Sequence, residues 1–398
     1  MEIEANSIRK LFFQHVAQTS PAPLGLEVQR ADGVFLYTKN KKYLDFVSGV
    51  SVSNLGHGNK EIIAAVKKQV DDYFHLMVYG EMIEAPQVLH AKLLTSLLPE
   101  NLNSVYYVNS GSEANEVALK LAKRITGRTE MISCVNAYHG SSHGSLSMIG
   151  SEYFKNAYRP LLPDVRNIRF NNVDDLKYIT EKTACVLIEP IQAEGGVICP
   201  KDNYLKKLRK RCDGTSTMLI FDEVQTGFGR TGSLFACLKY DVVPDIITLA
   251  KALGGGMPLG ACVSSVENLE AFQKNPILGH ITTFGGHPVC CAAALASLKI
   301  LVREKYYEDV ERKSKIIEDA LISNIQVKEI RRAGLLVAID LGDKEKISSI
   351  IPKLLKQGLI SDYFLFNPTS FRIAPPLIIK DEELEYGLNI IKKVLNSL

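Results

Sequence analysis

The chain has 398 residues, 46% of them hydrophobic and 23% charged, with a formal net charge of +3. That length exceeds one small core and suits a large domain with a smaller one. The near-neutral charge argues against nucleic acid or an anionic membrane surface as the main partner, and no apolar run approaches a membrane span. Val34–Tyr37 and Tyr43–Phe46 read as short strands around a polar turn over 38–42. A small-residue loop, 48–59, precedes a helix carrying Ile62, Ile63, Val66 and Val70 on one face. A second helix carries Val88, Leu89, Leu93, Leu94, Leu97 and Leu98, and Pro99 ends it.

From Val105 onward strands and helices alternate, the pattern of a parallel sheet covered on both faces. The strand candidates are Val105–Val108, Met131–Val135, Val165–Phe170, Ala184–Ile188, Met218–Phe221, Ile246–Leu249 and Ala261–Ser264. After residue 295 the chain is more charged. A long helix is expected over 303–323, then a strand at Leu335–Leu341, a helix at Ile347–Leu355, a strand at Phe371–Ala374 and a closing helix at Leu384–Leu395. The fold class is α/β: a large, mostly parallel seven-stranded sheet domain with a smaller α+β domain. The expected division is 51–295 for the large domain and 296–398 for the small one, with 1–50 packing against the latter. The eight cysteines form no C-x-x-C pattern. That fits reduced thiols in a cytoplasm better than disulfides or zinc.

The chemistry-bearing residues cluster at the C-terminal ends of the strands, where open α/β sheets bind ligands. Met218–Phe221 ends in Asp222 and Glu223; Ile246–Leu249 leads through Ala250 to Lys251 and three glycines. A lysine and a carboxylate at neighbouring strand ends suit pyridoxal phosphate, which needs a lysine for its Schiff base and an acid for its pyridinium nitrogen. Burial would lower the lysine's pKa, as such an amine requires. Gly254–Gly256 lets the backbone approach a ligand closely.

Ser110-Gly111-Ser112-Glu113 opens a helix with capping-box spacing and Gly127 as its C-cap. Such a helix start is an anion site, although a capped helix that binds nothing has the same signature. Ala114, Val117, Ala118, Leu121, Ala122 and Ile125 share one face of that helix. Tyr138, just past the next strand, could stack on a planar ring. His139 and His143 are four apart, but the Gly-Ser-Ser between them and the lack of a third ligand argue against metal. Gly227-Phe-Gly-Arg-Thr-Gly232 matches the dinucleotide expression. It lies mid-chain, after two acids, and leads into a short segment rather than a long helix, which argues against a nicotinamide site.

Read together, these segments resemble the class-III pyridoxal-phosphate aminotransferases, the group of the acetylornithine, ornithine and 4-aminobutyrate enzymes. The resemblance rests on LIFDEVQTGFGRTG and PDIITLAKALGGGMPLGA, supported in order by NSGSEANEVALKLA, AYHG, CVLIEPIQAEGG, TTFGGHPVCCAAALA and FRIAPPL. It spans about residues 20–395 and implies a fold-type-I homodimer with its sites at the subunit interface. It implies that Lys251 binds the cofactor and shuttles a proton, and that Asp222 pairs with the pyridinium nitrogen. Gln225 would sit near the ring hydroxyl, Val224 would pack on the ring and Tyr138 would stack on it. Gly111 and Ser112 would hold the phosphate, with Thr283 contributed across the interface. Arg372 would take a substrate carboxylate, with Glu189 neutralising it otherwise.

One position departs from the pattern. Glutamate-using members carry an arginine directly after the His-Gly pair, where this chain has Ser141. Serine lacks the bidentate, charged grip on a distal carboxylate. The expected activity is transfer of an amino group from an ω-amino acid or ornithine-like donor to a 2-oxo acid by a ping-pong route. An aminomutase of the same family is the alternative, and a nicotinamide-dependent oxidoreductase a distant one.

Overall fold

The seven apolar runs all become strands of a single sheet. The computed structural model describes residues 5–398. Its order is Ser104–Val108, Gly260–Ser264, Ile246–Leu249, Met218–Asp222, Thr183–Ile188, Glu130–Cys134, Val165–Ile168. Every pairing is parallel except those of Gly260–Ser264, which runs antiparallel to both neighbours. Three of the inner strands, Thr183–Ile188, Ile246–Leu249 and Gly260–Ser264, are buried along their whole length, as their lack of polar alternation requires. The third run ends early, at Ile168, because Asn171 turns the chain at a positive φ of 64°.

Helix Gly111–Thr126 covers one face of the sheet. Gly127 closes it in the left-handed conformation, φ 67°. Its N-terminus is capped as the spacing indicates, with Ser110 Oγ accepting from Glu113 N at 3.2 Å. The return bond differs from a capping box. The Glu113 carboxylate accepts from Asn109 N at 2.7 Å instead of from Ser110. Five of the six expected face residues are buried, but Ile125, in the last turn, is 38% exposed.

The chain's two ends build the rest. Leu44 and Asp45 pair in parallel with Leu359 and Ile360, joining the N-terminal strands to the C-terminal third. A three-stranded antiparallel sheet is formed by Glu329–Ala333, Leu336–Asp340 and Ser370–Ile373. Its first strand, EIRRA, escaped the sequence reading because it is polar. The expected helix over 303–323 is two helices, Pro288–Glu304 and Val310–Leu321, broken where Lys305 turns left-handed at φ 52°. No helix is long and apolar enough to cross a membrane among the described residues.

The GFGRTG segment is structural. A Cβ on Gly229 would lie 2.8 Å from Tyr307, and one on Gly232 3.2 Å from Glu311, so protein fills the space a pyrophosphate would need. The helix that follows, Ala236–Tyr240, has five residues. Both observations overturn the nicotinamide alternative. Arg230 is fully buried and acts as a pin. It donates to the Leu335 and Pro375 carbonyls (2.9 and 2.6 Å), to Ser48 Oγ (3.2 Å) and to Asn54 Oδ1 (2.5 Å). Burial pushes its pKa down to about 9, which leaves it charged at pH 7. Arg230→Ala strands several buried acceptors at once. Urea titration should show a loss of about 3–5 kcal/mol.

Candidate active site

The strand ends converge on a cavity of about 480 Å³. Lys251, Asp222, Gln225, Val224, Tyr138, Gly111, Ser112 and Glu189 all line it. The structure therefore brings most of the sequence candidates to one cavity. Neither Arg372 nor Thr283 lines it: Arg372 is buried and bonded to Glu194, which does, and Thr283 is exposed on the chain's own surface.

Asp222 is held from three directions. Its Oδ2 accepts from His139 Nδ1 at 2.8 Å and from Asn115 Nδ2 at 2.9 Å; its Oδ1 accepts from Val224 N at 3.1 Å. Asn115 is fixed in turn by Thr248, whose hydroxyl donates to Asn115 Oδ1 at 2.7 Å. His139 and Asn115 were missed as partners of the acid. Their signal was position: Asn115 lies in the first turns of the helix at the ligand edge, and His139 follows Tyr138 there. Glu223, the neighbouring acid, points the other way. It is fully buried and accepts from Ala236 N and Cys237 N at 2.6 and 2.7 Å, capping the short helix.

Lys251 sits at the end of its strand with φ 51°, a left-handed conformation that costs a non-glycine residue energy. Its Nζ donates to Gln225 Oε1 at 2.8 Å. Burial drives its pKa down to about 8, with the Glu194 carboxylate opposing and the Arg372 guanidinium reinforcing that shift. Below that pH the amine carries a proton and is not a nucleophile; above it the amine is free. In cofactor-free protein, the rate of pyridoxal phosphate capture should rise with pH and level off above about 8. An unperturbed lysine would keep accelerating toward pH ~10.4. Stopped-flow absorbance distinguishes the two curves.

The expected carboxylate partner of Arg372 needs correction. Glu189 does not reach it. Its carboxylate accepts from Tyr138 N and Ala193 N, each at 3.1 Å, and burial, reinforced by the nearby Asp222 charge, raises its pKa to about 8. The acid that pairs with Arg372 is Glu194, with Oε1 2.7 Å from Nη2. Glu189 and Glu194 sit five positions apart in IEPIQAEGG, and spacing alone did not say which would reach the arginine. Ser141 occupies the departing position without a charge, its Oγ 3.3 Å from the Tyr138 hydroxyl.

The residues present fit pyridoxal phosphate. Gln225 Nε2 is buried with no partner, a donor free for a cofactor oxygen. Ser110 to Ser112 present the N-terminus of a 16-residue helix to the same cavity. A Cβ on Gly111 would approach the Val224 methyls to 3.0 Å, and one on Gly140 would meet Ser112 Oγ at 2.0 Å, so both glycines keep the wall close and clear.

This fold and site define a pyridoxal-phosphate-dependent transaminase. Residues 16–395 match the family model "Aminotransferase class-III", and the chain belongs to that family. It is similar to acetylornithine aminotransferase of Bacillus cereus, 37% identical over 90% of this chain and 91% of the relative. The enzyme of that name from Methanocaldococcus jannaschii is 38% identical, over 94% and 92% of the two chains. Among solved structures, ornithine aminotransferase from Toxoplasma gondii superposes with a TM-score of 0.90 at 29% identity, covering 98% of this chain and 94% of its own. Adenosylmethionine-8-amino-7-oxononanoate aminotransferase from Methanocaldococcus jannaschii gives 0.90 at 30% identity, covering 98% and 99%.

Proposed function

We propose that this transaminase moves an amino group from an ω-amino acid or ornithine-like donor to a 2-oxo acid, by a ping-pong route in which the enzyme carries the group between them. The observation that carries the reading is the shared cavity of Lys251 and Asp222. Pyridoxal phosphate supplies a ring that takes up electrons when the donor carbon loses its proton. Asp222 would keep the ring nitrogen protonated, and His139 and Asn115 hold that carboxylate in place. Lys251 would hold the cofactor through its amine and would be the base that moves the donor carbon's proton. Val224 and Tyr138 would flank the ring, Gln225 would donate to its hydroxyl, and Gly111 and Ser112 would hold the phosphate through backbone N–H groups.

Arg372 takes the carboxylate of one substrate, and Glu194 covers it when that carboxylate is absent. Ser141 argues against a dicarboxylic acceptor gripped at its far end, so a monocarboxylic 2-oxo acid fits better.

A homodimer completes the site. The single chain exposes Phe74, Met77, Ile83, Val88, Ile277 and Phe284, with Ile83 95% exposed. His75 and Phe284 rings touch at 4.9 Å, so the two segments form one patch. Apolar patches of this kind mark protein interfaces. Thr283, beside Phe284, would reach the partner's phosphate site from there. The reading includes a cytoplasmic location and a division at about residues 50 and 295.

Half-reactions test the assignment. Enzyme in the pyridoxal form is mixed with single amines, and enzyme in the pyridoxamine form with single 2-oxo acids, each followed by the cofactor's absorbance. A second substrate that must be supplied in stoichiometric amount excludes the aminomutase. Turnover with one substrate alone overturns the transaminase assignment.

A further inference from the structure

Strand Glu130–Cys134 carries one hydroxyl among apolar neighbours. Met131, Ile132, Ser133 and Cys134 are all fully buried. Packing gives no reason for a hydroxyl there, and burying one costs free energy unless it is hydrogen-bonded. Ser133 Oγ lies 3.1 Å from His139 Nε2, and among the described residues its O–H has no other acceptor. The other ring nitrogen, Nδ1, lies 2.8 Å from Asp222 Oδ2. The His139 side chain is fully buried, so water does not substitute for either partner.

Counting donors and acceptors places the protons. A carboxylate has no proton to give, so Nδ1 carries one and donates it to Asp222. At the other end, the serine hydroxyl either donates to Nε2 or accepts from it. If it donates, every group is paired. If it accepts, Nε2 carries a second proton and the serine O–H is left buried with no acceptor, which costs its desolvation. The paired arrangement leaves the imidazole neutral. An imidazolium there would set a full positive charge beside Asp222 and oppose the charge that a ring proton needs. The rest of the network closes in the same way. Asn115 Nδ2 donates to the His139 carbonyl at 2.7 Å and to Asp222 Oδ2 at 2.9 Å, and Asn115 Oδ1 accepts from Thr248. Oδ2 of Asp222 is thus filled by two donors, while Oδ1 has one, Val224 N.

We propose that Ser133 is a positioning residue for amino transfer: its hydroxyl donates to His139 Nε2, holds the imidazole neutral with its one proton on Nδ1, and so leaves the Asp222 charge for the cofactor's ring nitrogen. The proposal rests on the transaminase reading and deepens it. Ser133 touches neither substrate nor cofactor and acts through His139 and Asp222.

Nitrogen NMR on full-length protein labelled with 15N-histidine, before and after loading with pyridoxal phosphate, reads the ring directly. The chain has eight histidines, and His139 is assigned by the signals lost in His139→Gln. In both states of the wild type, Nδ1 should give the shift of a protonated nitrogen and Nε2 that of an unprotonated one. In Ser133→Ala, Nε2 should move toward the value of an unbonded nitrogen. The holoenzyme's kcat should fall about tenfold, the ratio that one hydrogen bond contributes, with KM little changed. Ser133→Cys keeps a weaker donor of similar shape and should fall between the two. A merely structural serine would lower the melting temperature and leave the Nε2 shift and kcat per folded molecule as they are; that result overturns the proposal. So does a wild-type His139 with a proton on Nε2, a measurement that does not depend on how any variant folds. Amine half-reactions that fail in the wild type count against the transaminase reading instead, since the shifts of unloaded protein are read without substrate or cofactor.

Discussion

Lys251→Ala lowers turnover by at least about 10⁴-fold, the upper range for removal of a group that transfers a proton at the reacting carbon. Lys251 is the amine among the cavity-lining residues, so no neighbour there substitutes for it. On the proposed reading it is also the nucleophile that binds the cofactor, a role with its own contribution to rate. The loss is chemical and not structural. The amine makes one hydrogen bond, to Gln225. Alanine meets the same left-handed backbone strain that lysine already bears. The stability change should stay within about 1–1.5 kcal/mol, as for a single hydrogen bond. A thermal melt separates the two effects: an unchanged transition with lost turnover supports the assignment. Turnover within tenfold of wild type would remove Lys251 from the mechanism.

Asp222→Asn should cost about 10²–10³ in kcat, the range for removing one group that stabilises charge developing in a transition state. The substitution keeps shape and removes charge. An amide oxygen can still accept from His139 and Asn115, but it holds a neighbouring ring proton far less strongly than a carboxylate does. Asp222 is 5% exposed and its oxygens have three protein donors, so water does not compensate for the missing charge. The loss should appear in kcat more than in KM, because the charge matters as the donor carbon loses its proton. A purely structural role would instead lower the melting temperature and leave kcat per folded molecule unchanged.

The sheet was legible because its strands are buried on both faces. Continuous apolar runs ending in Asp222 and Lys251 left little choice of element or of ligand edge. The helix start at Ser110 was legible in its cap, and Gly127 in its conformation. What escaped was set by tertiary contacts. Strand Glu329–Ala333 is charged because it lies at the edge of its three-stranded sheet, where Arg331 and Arg332 pair with acids of other elements. Lys305 breaks a helix that periodicity alone would continue. At the site, residue types and strand ends pointed to Lys251 and Asp222, which the structure places in one cavity. The choice of Glu194 over Glu189 depended on which way the IEPIQAEGG loop turns after its strand.

Borohydride reduction of the holoenzyme, followed by peptide mapping with mass spectrometry, asks directly which side chain holds the cofactor. The reduced pyridoxal phosphate adduct should appear on the tryptic fragment containing Lys251 and should be absent from Lys251→Ala. An adduct on any other lysine, or the same adduct in Lys251→Ala, would mean that the amine and the Asp222 carboxylate do not share a ligand.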